Sequence, residues 1–418
     1  MKHQMNRRHF LRTSAFAGGA ALALGRLPFA SRALAGTDPC LYRSQVALTG
    51  GTDHVDNIFQ GLQMFKGKIA AAIGNRPVLI KVNNVSGGNV SNSVADASGH
   101  SLADTPVQSL EGILEFLKSV GKTDVTIAEC ALLNTTQVSF SLNNYYSLVK
   151  KYPVRLKDLS EEGYETQYVW NSTLGSSNPL QPVRMSKLLL RPGPGLPRKY
   201  FVISNCRPKT HDRVVATFSL KNVVMGSVQI DPNFYSGLGG NSQDDKGNMH
   251  VAQGSNSSGG SLSDQDLNDT LYRMARWEAP DLSVIDGYQG MQGNGPLSGS
   301  AVNLGCAVTS LDWLAADRVA VELMNINAGV TAYVSNSTPY GTETNGWPMF
   351  PLYLNYCGQD GTLGQYDLNM IDVLGGKIST YQQTFGLHSN ASNGLTNQLY
   401  GMSLNPRTQD LDSPSSPS

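Results

Sequence analysis

Five short apolar runs, spaced along the chain by helical or polar sequence, constrain this protein more than any other feature. Residues 78–82, 125–128, 200–204, 282–285 and 302–309 are rich in Val, Ile, Leu, Ala and Phe. Runs of that length between turn residues read as buried strands. Helical patterns alternate with them. Val107, Leu110, Ile113, Leu114 and Leu117 recur on one face at a helical period. Thr105 is placed to cap that helix, Pro106 suits its first turn and Gly121 its end. Another helix is expected over residues 312–324, with Leu314, Val319, Val321 and Leu323 among its apolar positions. Strands alternating with helices indicate an α/β fold, a largely parallel sheet flanked by helices.

The segments between these elements are less regular. Residues 214–224 read as helical, with a break at Gly226. Residues 170–198 carry several Pro and Gly and read as an irregular excursion. Residues 236–263 form a long Gly/Ser/Asn-rich stretch, expected to be a loop that orders only if it binds something. Residues 403–418 are polar and proline-rich, and a disordered tail is expected there. No internal repeat is visible. Residues 36–400 are expected to make a single α/β domain.

The amino-terminal segment carries a different kind of information. Arg7-Arg8, then Phe10-Leu11 and Arg12, resembles the twin-arginine export signal. A weakly apolar stretch over residues 14–24 follows, and Ala33-Leu34-Ala35 offers small residues where a signal peptidase reads them. The expectation is a signal peptide over residues 1–35. The twin-arginine translocase is then the export partner, and the location is periplasmic or extracellular.

That reading changes the charge balance. The 418 residues hold 32 Lys and Arg against 32 Asp and Glu. Six of the basic residues and none of the acidic ones lie in residues 1–35, leaving 26 against 32 beyond them. A mildly acidic exported protein is a poor candidate for nucleic-acid binding, and no nucleic-acid partner is expected. A bilayer span needs about 20 apolar residues. No segment after the signal supplies them, so no membrane span is expected after cleavage.

Five cysteines follow the signal: Cys40, Cys130, Cys206, Cys306 and Cys357. None lies in a Cys-x-x-Cys pair, so there is no iron–sulfur cluster motif, zinc ribbon or redox pair. Cys130, Cys206 and Cys306 lie in or beside apolar runs and read as buried thiols. Cys40 and Cys357 are candidates for a disulfide in an oxidising compartment, if their backbones approach.

In an open α/β sheet, ligands bind beyond the carboxyl ends of the strands. Asn83 and Asn84 follow the first run, with Lys81 near its end. Glu129 follows the second, and Arg207, Pro208, Lys209, Thr210 and His211 the third. Asp286-Gly287 follows the fourth, leading to a stretch from Gly290 to Pro296. Four loops therefore converge on one rim. Residues 209–211 lead into the helix read over 214–224, which carries Lys221 and Asn222. Backbone N–H groups at such a start attract anions. Residues 290–299 hold four glycines and one proline, which suits close backbone approach to a ligand or a purely structural turn. No Walker loop, dinucleotide fingerprint or Gly-x-Ser-x-Gly elbow is present. His54, His100, His211, His250 and His388 form no close-spaced metal pair. A metal site would have to gather distant residues such as His211, His250, Asp286 and Glu129.

Taken in order, these motifs resemble one family. Residues 78–83, the run Arg207-Pro208-Lys209-Thr210-His211 with Ser219-Leu220-Lys221-Asn222, and Met249-His250 carry the likeness. So do residues 284–296 and the helix with Asp312, Ala315 and Asp317. The pattern is similar to the domain of unknown function (DUF) 362 family, over a core of about 78–326. The resemblance implies no settled activity. Some members resemble redox proteins through a fused cluster domain, whose cysteines this chain lacks. Val82 stands where proline is usual and Gln292 where glutamate is usual. An amide neither titrates nor carries charge, so that departure leaves room for a binding role without chemistry.

The expectation is an enzyme acting on a small anionic substrate, its cofactor unknown but with room for a divalent metal. Lys81, Lys209, His211 and Lys221 would hold the anion, with Asn83, Asn222, Gly293, Asn294 and Gly295 as further substrate contacts. Asp286, with Asn83 and Glu129, would hold metal or move protons. His211 or His250 would be the acid or base, since histidine titrates near neutrality. The alternatives are a non-catalytic periplasmic binding or accessory protein, and a redox protein with a bound cofactor.

Overall fold

Side chains that alternate residue by residue build the centre of the fold. In the first strand, Val46 and Leu48 pack into one core and Ala47 into another. Leu79 and Ile80 divide between two cores in the same way. A strand that buries both faces belongs in the middle layer of an α/β/α sandwich. The computed structural model describes residues 42–170, 180–229, 245, 249, 261–326 and 351–388. The segments expected to be a signal peptide (1–35), most of a loop (236–263) and a disordered tail (403–418), together with Cys40 and His250, lie outside the described residues.

The strands are β1 (Ser44–Gly50), β2 (Val78–Lys81), β3 (Val125–Glu129), β4 (Val154–Asp158), β5 (Tyr164–Trp170) and β6 (Leu180–Ser186). They continue with β7 (Phe201–Cys206), β8 (Lys209–His211), β9 (Val215–Thr217), β10 (Leu282–Gln292), β11 (Ser300–Ser310) and β12 (Ile371–Gly375). The main sheet is mixed and mostly parallel, in the order β12-β1-β11-β10-β7-β2-β3-β4, with β8 and β9 attached beside β10. Strands β10, β7, β2, β3 and β4 run parallel. β11 is antiparallel to both β10 and β1. A parallel partner needs a crossover, whereas the short link from β10 to β11 allows only a hairpin. β5 and β6 form a separate antiparallel pair.

Helices α1 (His54–Gln63), α2 (Lys66–Ile73), α3 (Val107–Ser119), α4 (Thr136–Leu142) and α5 (Tyr146–Lys151) contribute to the core on one face. Helices α6 (Ser219–Ser227), α7 (Ser261–Glu278), α8 (Trp313–Leu323) and α9 (Leu352–Asp360) cover the other, and α10 (Ile378–Tyr381) packs at its margin. In α3, Leu110, Ile113, Leu114 and Leu117 are buried as their spacing predicts. Each such side chain contributes about 1.5–3 kcal/mol. Among the described residues no helix is long and apolar enough to cross a membrane.

Several expectations are corrected. Pro106, not Thr105, holds the cap position of α3. The Thr105 hydroxyl instead accepts from Asn83 N–H and donates to Asn205 O, tying the ends of β2 and β7. The helix read over 214–224 begins later, because β8 and β9 first pair as a hairpin. Gly226 is no break, since it lies inside α6. The 170–198 excursion contains β6, and residues 261–263 open α7. Cys130, Cys206 and Cys306 are buried as expected, and Cys357 is buried too, with Cys40 outside the described residues.

Candidate functional site

The parallel strands place their carboxyl ends along one edge. β1 joins them there, because Gly50 of β1 and Gly287 of β10 both lie opposite Cys306. The loop after β1 therefore adds to the rim expected from sequence. β10 runs on past Ile285 to Gln292, so Asp286 and Gly287 are strand residues rather than loop residues.

One cluster on this rim is closed. Lys81 ends β2 and shares the face of Leu79, toward α6. Its Nζ donates to Glu129 Oε1 at 2.5 Å and to Val82 O at 2.5 Å. Glu129 Oε1 also accepts from Cys130 N–H, and Oε2 from Asn84 N–H at 2.7 Å. Asn222 of α6 donates through Nδ2 to Lys81 O and Ser204 Oγ, both at 3.0 Å. Its Oδ1 accepts from Lys81 and Asn83 at 3.4 Å. Gly226 explains how an ammonium fits here. A Cβ at that position would lie 2.1 Å from Lys81 Nζ.

Lys209 of β8 leans over the same end of β2. Its Nζ donates to Asn83 Oδ1 and Ala103 O, both at 2.5 Å. Burial pushes its pKa down to about 8, against the pull of Asp104. Asp104 itself is raised above the usual carboxylate range by burial. It accepts from Ser86 and Gly88 N–H and from the Asn143 amide, which holds the strap of residues 84–105 over the rim.

His211 is sealed. Nε2 lies 2.9 Å from Lys221 Nζ, and Nδ1 lies 2.9 Å from Asp212 Oδ1. Burial, then Lys221, pushes its pKa down to about 4. Burial works against the charge of Asp212, but His211 outweighs it and holds that carboxyl well below the usual range. The helix start expected to attract an anion is already occupied. Asp317 of α8 accepts from Ser219 and Leu220 N–H at the start of α6.

Asp286 belongs to another set. Its Oδ1 meets His54 Nε2 at 2.7 Å and accepts from Tyr288 N–H at 3.1 Å. Burial alone would raise its pKa, but His54 and Arg207 outweigh it and hold the carboxyl below the usual range. Arg207 follows β7, adjacent to Asp286 in the sheet register. One amino group donates to Asp96 Oδ2 at 2.5 Å. Its Nε and Nη1 are buried without a hydrogen-bond partner among the described residues, as is Asp286 Oδ2. The β10–β11 register shifts between Gly287 and Gln289. This bulge accompanies the flat stacking of Tyr288 on His54, with centroids 4.5 Å apart.

The glycine-rich turn packs tightly at Gly295 and leaves Asn294 exposed. A Cβ at Gly295 would lie 1.9 Å from Thr210 O, and Gly293 has φ +85°. Thr210 Oγ1 donates to Gly293 O at 2.8 Å. Asn294 accepts from Ser298 N–H within the same turn. Gln292 donates to Ser300 Oγ and accepts from Gly386 N–H.

The structure thus brings Lys81, Asn83, Glu129, Lys209 and Asn222 together and pairs His211 with Lys221. It places Asp286 in a separate hydrogen-bonded set from Glu129. Among the described residues no group of three or more His, Cys, Asp or Glu could hold a metal. Sequence reasoning missed His54, Asp96, Arg207 and Tyr288 as site residues. His54 was legible through Gly50, Gly51, Thr52 and Asp53, a strand end followed by a helix cap. Asp53 does accept from Asp56 N–H.

No curated protein matches this chain. The family described as domain of unknown function (DUF362) matches residues 78–322, more than half of the sequence, and covers β2, β3, β7 and β10 of the rim. The chain belongs to the DUF362 family.

Proposed function

We propose that the protein is an enzyme acting on a small anionic substrate gripped at the strand-end rim by Arg207. One observation carries this reading. The Arg207 guanidinium is buried, gives one amino group to Asp96 and leaves Nε and Nη1 unpartnered among the described residues. A stranded buried donor costs about 1–3 kcal/mol. A carboxylate or phosphate oxygen satisfies such donors well. Lys209 supports the same ligand class, and an amine with a pKa of about 8 can exchange a proton near neutral pH. In this reading Lys81, Glu129, Asn83 and Asn222 fix the shape of the rim, since each already answers another. No step is routed through a metal ion. Glu129 is held by Lys81 and two backbone amides, and Asp286 by His54. A role without chemistry drew on Gln292, but that side chain is engaged by Ser300 and Gly386 and does not bear on Arg207.

The same proposal includes twin-arginine export, supported by Arg7-Arg8 and the small residues at 33 and 35. Replacing both arginines by lysine should retain the protein in the cytoplasm on cell fractionation. A thermal-shift screen of phosphates and carboxylates tests the ligand. A ligand at a hundred times its Kd adds about 2.7 kcal/mol of stability. At least one oxyanion should raise Tm in the wild type and lose that effect in Arg207→Lys. A panel with no response would contradict the reading.

A further inference from the structure

We infer that His54 and Asp286 form the acid–base pair of the rim, with His54 moving a proton to or from a substrate anchored at Arg207. This rests on the oxyanion reading above and adds the residue that does the chemistry. His54 is the first residue of α1, directly after the Asp53 cap, so the helix start fixes its backbone. Asp286 holds the ring by its Nε2 edge at 2.7 Å, and Tyr288 holds it by its face at an interplanar angle of 9°. A ring fixed at edge and face keeps the orientation that proton transfer requires. The His54 side chain is 14 % exposed while the carboxylate behind it is sealed. His211, by contrast, is closed on both nitrogens.

The chemistry follows from the tautomer. An ionised Asp286 accepts the Nε2 proton, which leaves the Nδ1 lone pair of the neutral ring as the base. A proton from a substrate X–H bond moves to Nδ1, and the bonding pair stays on the substrate. The imidazolium is stabilised by Asp286 and returns the proton to product or water. No electron is transferred. The substrate class is an oxyanion bearing such an acidic X–H, with its charged end on Arg207. Asp286 is the positioning residue of the pair. Arg207, with Asp96 behind it, Cys306 and Tyr288 are the charged and titratable groups around Asp286 among the described residues.

Acylation by diethyl pyrocarbonate, whose carbonyl is attacked by an unprotonated imidazole nitrogen, tests the pair. Rates at individual histidines are read by mass spectrometry across pH, with and without inorganic phosphate. His54 should react on the order of ten-fold faster than sealed His211, and phosphate should protect it. Asp286→Asn should slow His54 by on the order of ten-fold, because the amide favours the wrong tautomer. Asp286→Glu should restore part of the rate. An unchanged His54 rate in Asp286→Asn overturns the pair. Should that variant not fold, the wild type decides, because a reactive His54 that bound phosphate does not shield is misplaced. Phosphate that binds beside an inert His54 sinks the pair and leaves the oxyanion reading standing. Phosphate that neither binds nor protects, beside a reactive His54, sinks the oxyanion reading and the substrate assigned here.

Discussion

Two polar clusters share the carboxyl edge of the sheet, and they are finished to different degrees. Around Lys81, Glu129 and Asn222, donors meet acceptors, and a glycine in α6 clears the space for the ammonium. Around His54, Asp286 and Arg207, three buried atoms have no hydrogen-bond partner among the described residues. A satisfied buried network fixes geometry, whereas stranded donors and acceptors raise the question of a ligand. The difference teaches that charge near a strand end is a poor guide to function by itself. Lys81, conspicuous in the sequence at the end of β2, holds the rim together, and Arg207 has donors to spare.

The largest expected effect breaks the closed cluster. Glu129→Ala leaves the Lys81 ammonium buried and short of its carboxylate, and should cost about 3–5 kcal/mol in urea unfolding. His54→Gln keeps a donor for Asp286 and should cost only about 1 kcal/mol. Equal costs would erase the distinction between the clusters.

A second effect concerns the sealed histidine. The folded protein keeps His211 neutral down to about pH 4, whereas the unfolded chain protonates near 6.5. Unfolding therefore takes up a proton in that window. Stability should be fully present above about pH 6.5 and decline as pH falls toward 4, by about 3 kcal/mol from this group. His211→Gln should flatten that part of the profile in denaturant titrations. A profile unchanged by the substitution would mean that His211 is not the buried base described.

The smallest effect concerns the departure from the family pattern. Gln292→Glu should change stability by less than about 1 kcal/mol and leave phosphate stabilisation intact, since Gly386 N–H still finds an acceptor. Lost phosphate stabilisation in this variant would tie position 292 to the rim.

Much of the parallel core was legible. The strands at 78–82, 125–128, 200–204 and 282–285, and the helices at 107 and 312, stand where apolar runs and helical periodicity put them. A strand buried on both faces announces itself by composition alone. β1 was missed although Val46, Ala47 and Leu48 have the same character, and its loss hid His54. Residues 214–224 misled because Val214, Val215 and Ala216 suit strand and helix alike, and only the β8 hairpin decides between them. The site was legible as a set of residue types and not as partnerships. Nothing in the local sequence says that Lys81 meets Glu129, that Asp317 fills the start of α6, or that Asp286 reaches back to His54. Those pairings span 48 to 232 positions and depend on how the layers close.

Calorimetric titration of the folded protein with phosphate and with acetate, in wild type and Arg207→Gln side by side at constant ionic strength, tests the central claim most directly. The account predicts saturable binding of at least one of these anions to the wild type, weakened by on the order of ten-fold or more when the guanidinium is removed. Equal binding in the two proteins, or none in the wild type, would contradict it.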